Sequence, residues 1–131
     1  FAIWKLVVRF SERISVKSLA TITEKDIEVI KMALNDSISD INSELKGEMG
    51  EKKRVELLDF KNKYSKVYNK LRQSPSIYSL SEAELDITAG GLIDAIQLIE
   101  ENLTDDLTDT EKEEILEYKN SCDILVELLA G

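Results

Sequence analysis

Residues 23–73 and 81–131 align with each other, without a gap, at an offset of 58. Ile27, Ile30, Leu34, Ile38, Ile41 and Leu45 fall on Leu85, Thr88, Leu92, Ile96, Ile99 and Leu103. Further along, Leu57, Leu58, Phe60, Lys61 and Asn62 fall on Ile115, Leu116, Tyr118, Lys119 and Asn120. Tyr64, Val67, Tyr68 and Leu71 then fall on Cys122, Leu125, Val126 and Leu129. About eleven of the 51 pairs are identities. Two helical stretches in phase always agree somewhat, because the apolar stripe forces it. The equal loop length and the shared Lys-Asn after an aromatic argue for more than phase. A single helical hairpin cannot bury its own stripe, whereas two together can. The expected fold is therefore all-α: an N-terminal helix plus two tandem αα-hairpins packed as a helical bundle. One domain spans 1–131, made of an apolar segment 1–22, a first hairpin 23–73 and a second, acidic hairpin 81–131.

Local signals agree with this division. Apolar residues from Ile27 to Leu45 recur every three or four positions, the period of one helical face. Thr23 with Asp26 resembles a capping box, and Ser81 precedes Glu82 and Glu84, where negative charge suits a helix start. "KGEMGEKK" ends the first helix, the region around Pro75 connects the hairpins, and "LTDDLTDT" separates the last two helices. One proline in 131 residues leaves long helices unbroken.

Gly90 and Gly91 interrupt the best of these stripes. Two interior glycines cost a helix roughly 2 kcal/mol relative to alanine. They occupy the places of Met32 and Ala33 in the first hairpin. Close helix packing is the expected reason, with the small pair making room for Met32 or Trp4; a hinge at Gly90 is the next explanation. A phosphate-cradling loop is disfavoured, since no strand precedes the pair and no Lys-Ser/Thr follows.

The segment "FAIWKLVVRF" is apolar on several sides. A helix over residues 2–15 is preferred to a strand, because the rest of the chain offers a strand no sheet. Trp4 and Phe10 are candidates for an apolar interface there. The segment is too short and too charged for a membrane anchor, and no membrane partner is expected. A chain beginning at Phe1 reads as a fragment with residues missing upstream. A lone cysteine, Cys122, forms no internal disulfide, and its place on the core stripe suits a buried thiol in a reducing, cytoplasmic setting.

Catalytic signals are few. The absence of histidine removes the usual general base and the commonest transition-metal ligand. No catalytic residue, metal ligand or cofactor is expected. "EEILE" (Glu113, Glu114, Glu117) matches the first part of the magnesium-binding pattern of all-α nucleotide pyrophosphohydrolases, but the second part is missing. "DDLTDTEKEE" lacks the alternating ligands and central glycine of a calcium loop. The lysines of "KNKYSKVYNKLR" occupy the side of the helix away from its stripe. Direct nucleic-acid binding is therefore not expected.

Charge is the remaining signal. Residues 1–75 carry 15 Lys/Arg against 11 Asp/Glu, a net of +4, whereas residues 76–131 carry 2 against 15, a net of −13. Glu100, Glu101, Asp105, Asp106, Asp109, Glu111, Glu113, Glu114 and Glu117 lie within eighteen residues. The matched tip of the first hairpin carries Lys46, Lys52, Lys53 and Arg54 instead. Such asymmetry speaks to partners rather than to fold. The leading expectation is a non-catalytic adaptor or inhibitor that docks on another protein's basic surface, with nucleic-acid charge mimicry as a special case. A solvated acidic face is the plainer reading. Self-assembly through the N-terminal segment, giving a homo-oligomer, is the main alternative; a magnesium-dependent nucleotide hydrolase comes last.

Overall fold

The structure, a computed structural model, describes residues 19–130. The expectations for residues 2–15, and with them Trp4 and Phe10, lie outside the described residues. Four long helices make up the rest: α1 (Glu24–Leu45), α2 (Glu51–Gln73), α3 (Glu82–Asn102) and α4 (Asp109–Ala130). A single 3-10 turn, Ile77–Ser79, sits in the connector between α2 and α3, and no strand occurs among the described residues.

The offset of 58 runs through helix starts, caps and burial alike. Helices α1 and α3 begin 58 residues apart, and so do α2 and α4. Thr23 and Ser81, also 58 apart, form full capping boxes with Asp26 and Glu84. In each box a hydroxyl accepts the third helical N–H while a carboxylate accepts the cap's own N–H, so two orphan donors are satisfied. A third box starts α4: Glu111 N–H donates to Thr108 Oγ1 at 3.1 Å, and Thr108 N–H donates to Glu111 Oε1 at 3.0 Å. The last helix thus begins at Asp109 behind a Thr108 cap, two residues earlier than the "EKEE" run suggests. Helix α2 starts behind Gly50 with no side-chain cap.

Each stripe faces the core. Ile27, Ile30, Leu34 and Ile41 are buried, as are their counterparts Leu85, Thr88, Leu92 and Ile99. Thr88 satisfies its buried hydroxyl by donating to the Glu84 carbonyl one turn back, at 2.7 Å. On the second helices Tyr64, Val67 and Leu71 match Cys122, Leu125 and Leu129, all buried. Leu58 and Leu116 match as well, both exposed. Ile77 and Leu80 close the bundle from the connector.

Not every pair keeps the pattern: Asn35 is exposed, for example, but its counterpart Ile93 is buried. Leu57 is buried but Ile115 is half-exposed, and Gly90 is buried whereas Met32 is 54% exposed. Met32 therefore does not fill the space left by the glycines. The space beside Gly91 belongs to Leu34 and Tyr64: a Cβ on Gly91 would lie 2.6 Å from Leu34 Cδ2 and 3.6 Å from the Tyr64 ring.

Small residues set the helix arrangement. Ala33 and Ser37 on α1, and Gly91 and Ala95 on α3, are buried and occupy equivalent positions one turn apart. They let the two backbones approach closely enough for Ser37 Oγ to donate to the Gly91 carbonyl at 2.9 Å. Helices α1 and α3 form the central pair. Helix α2 packs on α1 and on α3, α4 packs on α3 and on α1, and α2 and α4 occupy the outer corners without packing substantially on each other. In cross-section the bundle is a rhombus whose short diagonal is the small-residue seam.

Candidate functional site

The end of α3, the turn that follows it and the first half of α4 carry the acidic residues singled out above. All nine, Glu100, Glu101, Asp105, Asp106, Asp109, Glu111, Glu113, Glu114 and Glu117, are exposed. Their tasks differ. Glu111 closes the α4 capping box, and the Thr108 N–H and hydroxyl lower its carboxyl pKa. Asp106 accepts from the Thr104 hydroxyl, which lowers its pKa in the same way. Glu100 lies 3.9 Å from Lys119, which also pairs with Asp123 at 3.3 Å. Glu101 accepts from Gln97 at 3.4 Å. The carboxylates of Asp105, Asp109, Glu113, Glu114 and Glu117 project into solvent with no ion-pair partner among the described residues.

Beside this segment two grooves lie along the α1–α3 seam. The first, about 420 Å³, is floored by Ala95, Leu98, Ile99 and Ile115 and walled by Asp36, Ser39, Asp40, Ser43, Asn102 and Tyr118. The second, about 220 Å³, is lined by Ser37, Asp40, Ile41, Glu44, Asp94, Gln97, Leu98 and Glu101. Shifting each residue of the second by 58 gives eight of the ten residues of the first. The grooves are therefore counterparts, and they share Asp40 and Leu98. Their chemistry diverges at the matched positions. Where the first groove has Ser43 and Asn102, the second has Glu101 and Glu44, so the second is acidic and the first largely apolar.

One carboxylate in each groove wall is held by a phenol. Asp36 and Asp94 are equivalent residues of α1 and α3. Each accepts from a tyrosine of the opposite hairpin: Tyr118 to Asp36 at 3.0 Å, and Tyr64 to Asp94 at 2.7 Å. The two tyrosines are not equivalent to each other; they lie one helical turn apart in the repeat. These bonds tie the hairpins together and fix the groove walls. Burial drives both phenols well above the ordinary tyrosine range, and the neighbouring carboxylate adds to the effect. Burial likewise raises Asp94, helped by the charges of Asp40 and Glu44 and opposed by the Tyr64 hydrogen bond. Asp40 is raised by burial and by the charge of Glu101.

The remaining titratable features are structural. Burial, followed by the charges of Asp123 and Asp36, pushes the Cys122 thiol up to about 12, which leaves it a poor nucleophile. Lys70 donates to Glu84 at 2.7 Å and joins α2 to α3. Among the described residues no group of three or more Asp, Glu or Cys side chains is arranged to hold a metal ion. None of the described helices is long and apolar enough to cross a membrane.

The acidic turn was visible in the sequence; the grooves were not. Asp36 and Asp94 did leave a trace, as an identical polar pair off the stripe in the aligned halves. Comparison with known proteins returned no matching family model, curated protein or solved structure.

Proposed function

We propose that this chain is a non-catalytic, protein-binding module that docks on a basic partner surface through the acidic end of α3, the following turn and the first half of α4. The supporting observation is the exposure of nine carboxylates along one segment, eight of them without an ion-pair partner among the described residues, opposite a hairpin whose matched tip is basic. Charged groups held this way steer association with a complementary surface while adding little to folding stability. Occupation of a nucleic-acid-binding cleft on the partner, by charge mimicry, is a special case of the same chemistry. A reducing, cytoplasmic setting suits the lone buried thiol.

The test replaces Asp105, Asp106 and Asp109 by Asn and Glu113 by Gln. Asn keeps the acceptor used by Thr104, and the Thr108–Glu111 box is untouched, so the fold should survive. A partner captured from the native host should bind the variant more slowly, with the largest difference at low ionic strength. Unchanged affinity at both low and physiological salt, in a folded variant, would reduce the acidic segment to a solvated face. Self-assembly, the alternative, would show as a concentration-dependent mass in light scattering.

A further inference from the structure

Ile115 breaks the burial symmetry of the two hairpins in an informative way. Its counterpart Leu57 is a core residue at 2% exposure, whereas Ile115 is half-exposed in the floor of the first groove. Leu98 and Tyr118, also half-exposed, extend the same apolar surface. The position that α2 buries with Leu57 is thus left partly open on α4. Carboxylates surround that place: Asp36 and Asp40 in its own wall, Glu44, Asp94 and Glu101 in the adjoining groove, and the acidic turn beyond Asn102.

An apolar floor in a negative rim selects an occupant that is apolar on one side and positive around it. Acidic and neutral peptides are repelled or left unpaired, and a purely cationic chain leaves the floor empty. An amphipathic helix presents such a pattern compactly, with an apolar anchor flanked by lysines or arginines a turn away. We propose that the groove between α1, α3 and α4 is the docking site for a basic amphipathic helix of the partner protein. One of its apolar side chains sits over Ile115 and Leu98, and its flanking cations lie against Asp36, Asp40 and the adjoining acidic groove. The inference rests on the proposed function and names the partner's recognition element.

Three labelled synthetic peptides of equal charge test it by fluorescence anisotropy. The first is a leucine–lysine helix with leucines on one face. The second is the same peptide with those leucines replaced by serine. The third is an oligolysine. The leucine–lysine helix should bind about ten-fold tighter than either other peptide, the effect of burying one or two apolar side chains. Ile115→Ser should remove most of that advantage, whereas Val55→Ser, at an exposed apolar position outside both grooves, should leave it intact. Equal binding of all three peptides, or an Ile115→Ser protein that keeps the full preference, would overturn the groove assignment and leave the acidic surface standing. Failure of every peptide to bind at low salt would instead remove the proposed function itself. The comparison among peptides uses the unmodified protein, so it decides the question even if Ile115→Ser does not fold.

Discussion

Gly91 shows how one missing methyl group fixes the distance between two helices. A β-carbon there would overlap Leu34 Cδ2 at 2.6 Å, and Leu34 is itself fully buried, with no free side on which to retreat. Gly91→Ala gains helix propensity but must push α1 and α3 apart, stretching the Ser37 hydrogen bond. Overpacking outweighs propensity, and the variant should lose about 1–3 kcal/mol in denaturant unfolding. A raised melting temperature would show the seam to be looser than the geometry implies. The two tyrosines make a second contrast at this scale. Tyr64→Phe leaves a half-buried Asp94 carboxylate without its phenol donor and should cost about 1–2 kcal/mol, as expected when a buried acceptor is abandoned. Tyr118→Phe strips the more exposed Asp36, which water can re-solvate, and should cost less than about 1 kcal/mol. Equal losses would mean that burial does not control these bonds.

Helix stripes and their starts were legible because they depend on neighbours along the chain. Ile27 to Leu45 declares its inner face by spacing alone, and Thr23 with Asp26 declares a cap by residue type. The start of α4 was less plain, since Asp109 and Thr108 both resemble caps and only backbone geometry separates them. The distinction is measurable. Thr108→Ala removes the acceptor for the Glu111 N–H and should cost about 1 kcal/mol, whereas Asp109→Asn, at the first helical residue, should cost only a few tenths. The reverse order in thermal unfolding would place the cap at Asp109. What periodicity could not convey is how far apart two stripes pack. The rhombic cross-section, the Asp–Tyr ties between hairpins and the open floor at Ile115 all follow from the α1–α3 separation. That separation is set by Ala33, Ser37, Gly91 and Ala95, small residues that carry little signal in a hydrophobic pattern.

Across the whole molecule, the shifted carboxyls predict where stability peaks with pH. Asp40 and Asp94 have folded-state pKa values above their ordinary value of 3.8. The folded chain therefore takes up these protons before the unfolded chain does, and acidification from neutral pH stabilises it through them. Net charge of −9 acts in the same direction, because protonation relieves self-repulsion. Glu84 behaves oppositely. Burial alone would raise it, but the Lys70 ammonium and the Ser81 N–H more than offset this and hold it below 4.5. Its stabilising contribution is present above 4.5 and is lost as pH falls through its folded value. Melting temperature should accordingly rise on acidification from pH 7, then fall once the pH drops below 4.5 and through the lowered Glu84 value, where Glu84 releases Lys70. Asp94→Asn isolates the first effect. Its amide oxygen still accepts from Tyr64, while the charge facing Asp40 and Glu44 disappears. This variant should melt higher than the parent at pH 7 and show a flatter rise on acidification, with the later fall governed by Glu84 unchanged. A parent protein whose melting temperature falls steadily between pH 7 and pH 5 would mean that the carboxylates between α1 and α3 are better solvated than their burial implies. Solvent would then screen the field in the groove they rim more strongly than the proposed docking of a basic helix requires.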